Sequence, residues 1–170
     1  IVLGAAVWGK AYLDLLLNYA IPSLMTPQNH GALAGGATLL LYTRGEDYIA
    51  LVSATKRLKA AGFEPVIRII PDDVMQHWQA HKLNKLWILG TAHNACVQIA
   101  GRWGKSFHMF HPDHVYSTAY FSRLLAIKGE FDGLLQNGLS ADKANAAAAL
   151  EQYRGEALSI AADNLAQIAV

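Results

Sequence analysis

Residues 83–114 read LNKLWILGTAHNACVQIAGRWGKSFHMFHPDH, and this stretch decides the fold class. Ile88, Ala92, Ala95, Cys96 and Ile99 recur at helical spacing and form one apolar stripe over residues 83–101. Residues 105–110 then carry a strand pattern and run into His111-Pro112-Asp113-His114. A long helix delivered directly into a strand is a crossover, the connection that parallel sheets require.

The flanking sequence repeats the alternation. Residues 1–7 are a continuous run of small and β-branched apolar side chains, as in a strand covered on both faces. Tyr12, Leu15, Leu16, Tyr19 and Ala20 predict a helix over 11–24, with Pro22 disturbing only its last turn. Residues 27–36, rich in Pro, Asn and Gly, read as a loop, and 37–42 as a second buried strand. Thr43 and Glu46 stand three apart before Tyr48, Leu51, Val52, Thr55 and Leu58, the pattern of a capping box and one helical face ended by Gly62. A third strand over 64–70 is closed by Pro71-Asp72-Asp73, and a polar, Trp-containing segment runs on through His81.

On the carboxyl side, Ser117 is the expected N-cap of a helix carrying Tyr120, Phe121, Leu124 and Leu125, stopped by Gly129. Residues 131–135 read as a fifth strand, and 140–170 as two Ala-rich helices divided near Gly155. The expected architecture is α/β: one domain over 1–170, three layers of helix, sheet and helix, with a mainly parallel, Rossmann-like sheet. Ile1 already sits inside an apolar run, so the chain is expected to be part of a longer one.

Composition narrows the partners. Of the 170 residues, 53% are hydrophobic and 16% charged, which excludes disorder. Fourteen Lys plus Arg against thirteen Asp plus Glu leave a net charge of +1 and no basic run, so no nucleic-acid partner is expected. The longest nearly apolar stretch, 31–42, falls well short of a membrane span. One cysteine permits no internal disulfide, and no basic segment precedes the apolar start, so the expected compartment is the cytoplasm.

Ligands of parallel sheets sit beyond the carboxyl ends of the strands, where strand order reverses. The residues there are Trp8-Gly9-Lys10, Thr43-Arg44-Gly45-Glu46 and His111-Pro112-Asp113-His114. A carboxylate flanked by two histidines offers donors for a divalent ion. The competing reading makes Pro112-Asp113 a turn and a helix cap. His108 precedes His111 by three, and strand alternation puts the two on opposite faces, which argues against a three-histidine zinc site. His77 and His81 would share a helix face, yet HWQAH lacks the Glu of the zinc-protease motif. The chain contains no G-x-G-x-x-G after its first strand, no P-loop and no G-x-S-x-G. Cys96 reads as a packed thiol, and His93 at the stripe's edge reads either as a core-edge histidine or as a donor facing the crevice.

The run His93-Asn94-Ala95 through Ala100-Gly101, followed by residues 105–114 and 121–125, resembles the centre of the nucleotide-sugar-dependent glycosyltransferases of the GT-A fold. WGKAYLDLLLNYAIPSL at 8–24, with HNACVQIA at 93–100 and PDHVYS at 112–117, is similar to a set of bacterial glycosyltransferase-like proteins. The likeness spans most of 7–138. It implies a UDP- or GDP-linked sugar held at the ends of strands one, two and four, with Mn²⁺ or Mg²⁺ against the diphosphate. On this mapping Asp113 and His114 hold the metal, and His111 stands where the family has its first acid. Trp8, Gly9, Thr43, Glu46, His93, Asn94 and His111 contact the nucleotide sugar.

Transfer to an acceptor hydroxyl calls for a base, for which Glu130, Asp132 and Asp142 are the candidates. Lys82 and Lys85 are candidates to offset charge on the leaving diphosphate. The competing class is a non-catalytic domain that keeps the sheet and binds nucleotide or another protein. A third reading is a metal-binding protein using His108, His111 and His114. Leu158, Ala162, Leu165 and Ile168 would share a helix face that packs on the sheet or on a second copy in a homodimer.

Overall fold

In the computed structural model the described residues are 1–130, 141–155 and 157–168. The strand expected over 131–135 lies outside them, as does Asp132. In chain order the elements are β1 (Val2–Ala6), α1 (Lys10–Leu15), α2 (Ile21–Leu24), α3 (Pro27–Leu33), β2 (Thr38–Thr43), α4 (Tyr48–Ala60), β3 (Glu64–Ile69), α5 (Asp72–Ala80), α6 (Lys85–Arg102), β4 (Phe107–Met109), α7 (Tyr120–Ile127), α8 (Lys143–Glu151) and α9 (Ala162–Ile168). The described chain divides into two compact units, Ile1–Asn18 with Ala34–His114, and Tyr19–Leu33 with Val115–Val170.

The first unit contains a four-stranded sheet of order β3-β2-β1-β4, parallel throughout. β1 is buried along its whole length, as its unbroken apolar run requires of a strand with neighbours on both edges and helices on both faces. Progress from β1 to β2 to β3 runs one way across the sheet, and the return to β4 runs the other. With right-handed crossovers this puts α4 and α6 on opposite faces and yields three layers. Leu51, Thr55 and Leu58 form the buried side of α4. On the α6 face, Val2 and Leu40 pack with Cys96 and Ala100, covered by Tyr42, Val66, Ile99 and Phe107.

Gly4 sets how closely α6 approaches the sheet. A Cβ at this position would lie 2.6 Å from Phe107 Cε2 and 2.8 Å from Cys96 Cβ, so only hydrogen fits. β4 is shorter than the expected 105–110, yet its pairing continues through Val2 N–H to Ser106 O and Phe110 N–H to Gly4 O.

Two local expectations are corrected. Residues 27–33 are the helix α3 rather than loop: Pro27 stands at its start, where a missing N–H costs nothing, and Gly35 at φ +80° follows its end. Thr43 and Glu46 do not make a capping box. Thr43 is the buried last residue of β2, a 3₁₀ turn spans Gly45–Asp47, and α4 starts at Tyr48 with no side-chain cap. The polar segment after Pro71 is α5, whose first turn carries Asp72 and Asp73, favoured at the positive end of a helix.

In the second unit the buried Asn29 of α3 donates to Ser23 O and Ser117 O and accepts from the Phe121 N–H. Ser117 therefore serves as an acceptor for Asn29, while Ala119 occupies the N-cap of α7. Leu158 lies in an isolated bridge with Arg154 before α9, so it does not share a helix with Ala162 and Leu165. Leu150, Leu158 and Ile160 form a cluster covered by Leu165, Ile168 and Tyr153. No helix among the described residues is long and apolar enough to cross a membrane.

Candidate functional site

Strand order reverses between β1 and β4, the place in a parallel sheet beyond whose carboxyl ends ligands sit. The β4 side supplies His111, Pro112, Asp113 and His114. The His114 N–H donates to His111 O at 3.3 Å, a tight turn that folds the two imidazoles toward each other with ring centroids 4.5 Å apart. One ligand atom from each of His111, Asp113 and His114 falls within 4.8 Å of the others. Asp113 and His114 are exposed and His111 is half-buried, so the cluster opens to solvent on one side.

Two more histidines stand behind it. His93, buried on α6, meets the His111 ring edge-on at 5.5 Å between centroids. Burial, and then the charge of His111, pushes His93 down to about 4. Burial pushes His108 down to about 4 as well, with His111 and His114 adding to it. His111 is lowered by burial and then by His114, against the opposing pull of Asp113. Neutral imidazoles with a free lone pair are the form that binds metals. The Asp113 carboxylate serves in this cluster, and α7 begins only at Tyr120.

On the β1 side, Trp8 is half-buried against Ile70, Met75 and Ile88, with its ring edge-on to Trp78 at 6.3 Å. Gly9 adopts φ +78°, and its N–H donates to Asp47 Oδ2 at 2.8 Å, tying the loop after β1 to the turn after β2. Glu46 pairs with Arg44 at 2.8 Å. These two, with Asp72, Gln76 and Gln79, line a depression of about 330 Å³ at the carboxyl ends of β2 and β3, the lower end of ligand-sized pockets. Thr43 is fully buried beneath this rim. Asn94 is exposed on α6, one residue beyond His93.

Lys82 takes φ +48° just after α5, and Lys85 Nζ reaches the Tyr12 hydroxyl at 3.5 Å. His77 on α5 and His81 at its C-cap stack with centroids 4.2 Å apart, both exposed, and belong to no group of three metal-ligating residues among the described residues. Of the residues singled out from sequence, His93, His111, Asp113 and His114 come together in one place. Trp8, Gly9 and Glu46 mark the neighbouring rim. Arg44 stands on the rim as its place after β2 suggested, whereas Asp47, Gln76 and Gln79 are rim residues that sequence reasoning missed. The Asp47 signal was present, since it ends the short polar turn before α4, but its partner is a backbone amide 38 residues away.

Comparison of the chain with protein-family models, with curated proteins and with solved structures finds no match in any of the three.

Proposed function

We propose that this chain binds a nucleoside diphosphate sugar at the carboxyl edge of its sheet and transfers the sugar to an acceptor hydroxyl. The observation that carries the reading is the placement of His111, Asp113 and His114 where strand order reverses. A GT-A-type arrangement puts its acidic motif at the equivalent strand end, and the depression beside Arg44, Glu46 and Gln76 is of a size for the nucleoside end. Asp113 and His114 have the donor atoms to hold a divalent ion, which when bound would offset charge on the diphosphate.

In the transfer the acceptor oxygen forms a bond to the anomeric carbon and gives up its hydroxyl proton to solvent water, while the bond to the diphosphate oxygen breaks and that oxygen leaves with the electron pair. Lys85, exposed at the start of α6, supplies positive charge in the same unit. Asp142 favours a second reading, a binding domain without turnover: this candidate base accepts from the Ala144 and Asn145 amides as the N-cap of α8. Glu130 is exposed beyond the end of α7.

Calorimetric titration with UDP, GDP and their sugar conjugates, each with and without Mn²⁺, tests the reading. Metal-dependent binding that is lost in Asp113→Ala, with release of the nucleoside diphosphate on turnover, is the expected result. Binding without turnover selects the second reading. No binding across the panel removes the transfer reading and leaves the protein-interaction form of the second.

A further inference from the structure

We infer that His111, Asp113 and His114 form a two-imidazole, one-carboxylate metal face that selects a transition ion such as Zn²⁺ or Co²⁺ over Mg²⁺ and loads it without nucleotide. This deepens the site on which the transfer reading rests, but it needs no sugar chemistry to hold. A hard ion such as Mg²⁺ asks for an octahedron of oxygens, and this cluster offers one carboxylate among three ligands. Imidazole nitrogen and carboxylate oxygen bind zinc at about 2.0–2.2 Å, so two ligands on one tetrahedral ion are about 3.3–3.6 Å apart. The three ligand atoms lie within 4.8 Å of one another, so the exposed Asp113 and His114 side chains would close by about 1 Å onto a bound ion.

The surroundings suit the assignment. Three protein ligands leave an open position on a tetrahedral ion, and solvent reaches the cluster from the side of Asp113 and His114. The edge-on packing of buried His93 restrains the plane of the His111 ring, which a free surface histidine lacks. Strand alternation had argued against His108 as a partner of His111, and in the structure the cluster is made by His111, Asp113 and His114, which share the turn beyond β4.

The test uses the whole chain, freed of metal by chelator, with no nucleotide present. Zn²⁺, Co²⁺ and Mg²⁺ are titrated by calorimetry, and Co²⁺ is followed also by its visible absorption. One equivalent of Zn²⁺ or Co²⁺ should bind roughly a hundredfold more tightly than Mg²⁺. Asp113→Asn and His114→Ala, both at exposed positions, should each weaken Zn²⁺ by roughly tenfold or more. The double variant His77→Ala/His81→Ala should leave the affinity unchanged. Equal affinity for Mg²⁺ and Zn²⁺, or Zn²⁺ binding that survives both cluster variants or vanishes in the α5 double variant, overturns the inference. Zinc binding with an empty nucleotide panel would sink the transfer reading alone, and the reverse pattern would sink this one alone.

Discussion

Burial pushes the Cys96 thiol up to about 12 from an ordinary value near 9.0, because a thiolate between α6 and the sheet would lose its hydration. The unfolded chain gives up this proton as pH rises past 9, while the folded chain keeps it. The contribution to stability is therefore complete below pH 9 and is lost progressively between 9 and 12. Two measurements follow from one cause. At pH 8 the folded protein should resist iodoacetamide while the urea-unfolded chain is labelled, and the urea midpoint should fall between pH 8 and pH 10.5 in the parent more than in Cys96→Ala. Labelling of the folded protein at the unfolded rate would mean that the thiol is reached by solvent. The packed role of Cys96 was legible because it falls on the helical stripe. The contact of His93 with His111 was not, since a stripe's edge gives no information about a ring that arrives 18 residues later in the chain.

Between α6 and β1 the deciding position is Gly4. Gly4→Ala forces a methyl group toward Phe107 Cε2 and the Cys96 side chain, and such overpacking costs about 1–3 kcal/mol. The denaturant midpoint should drop with an unchanged slope, and a drop smaller than about 0.5 kcal/mol would show that α6 can slide to make room. The strands and long helices were legible from their periods: β1, β2, β3, α4 and α6 fall within a few residues of their expected bounds. The errors share one physical origin. The Pro, Asn and Gly residues at 27–33 suggested a loop, but the helical turns there are held by tertiary contacts such as the Asn29 carboxamide. Thr43 and Glu46 match a capping pattern whose Thr the sheet had already claimed for its last paired residue. His111, Asp113 and His114 were legible as a motif, whereas the edge-on packing of His93 on His111 depended on how α6 meets the end of β4.

Over the whole molecule the chain visits the two units alternately: 1–18 in the first, 19–33 in the second, 34–114 in the first again, and then the second. Asn29 closes the second unit across this detour, since its carboxamide serves Ser23 O, Ser117 O and the Phe121 N–H at 2.8–3.0 Å. Asn29→Ala takes the partner from three backbone groups at once and should cost about 2–4 kcal/mol, read as a lowered thermal midpoint. A loss below about 1 kcal/mol would show that water replaces the amide there. The first unit's histidine pair at 4.5 Å should be unaffected, which near-ultraviolet or metal titration of the variant would register. The same detour gives the protein a schedule. Asn29 and Ser117 are 88 residues apart, and a ribosome adding about 5–20 residues each second needs roughly 4–18 s to span them. For that interval the early segment waits outside the exit tunnel without its later half, so the second unit is begun before most of the first and finished after all of it.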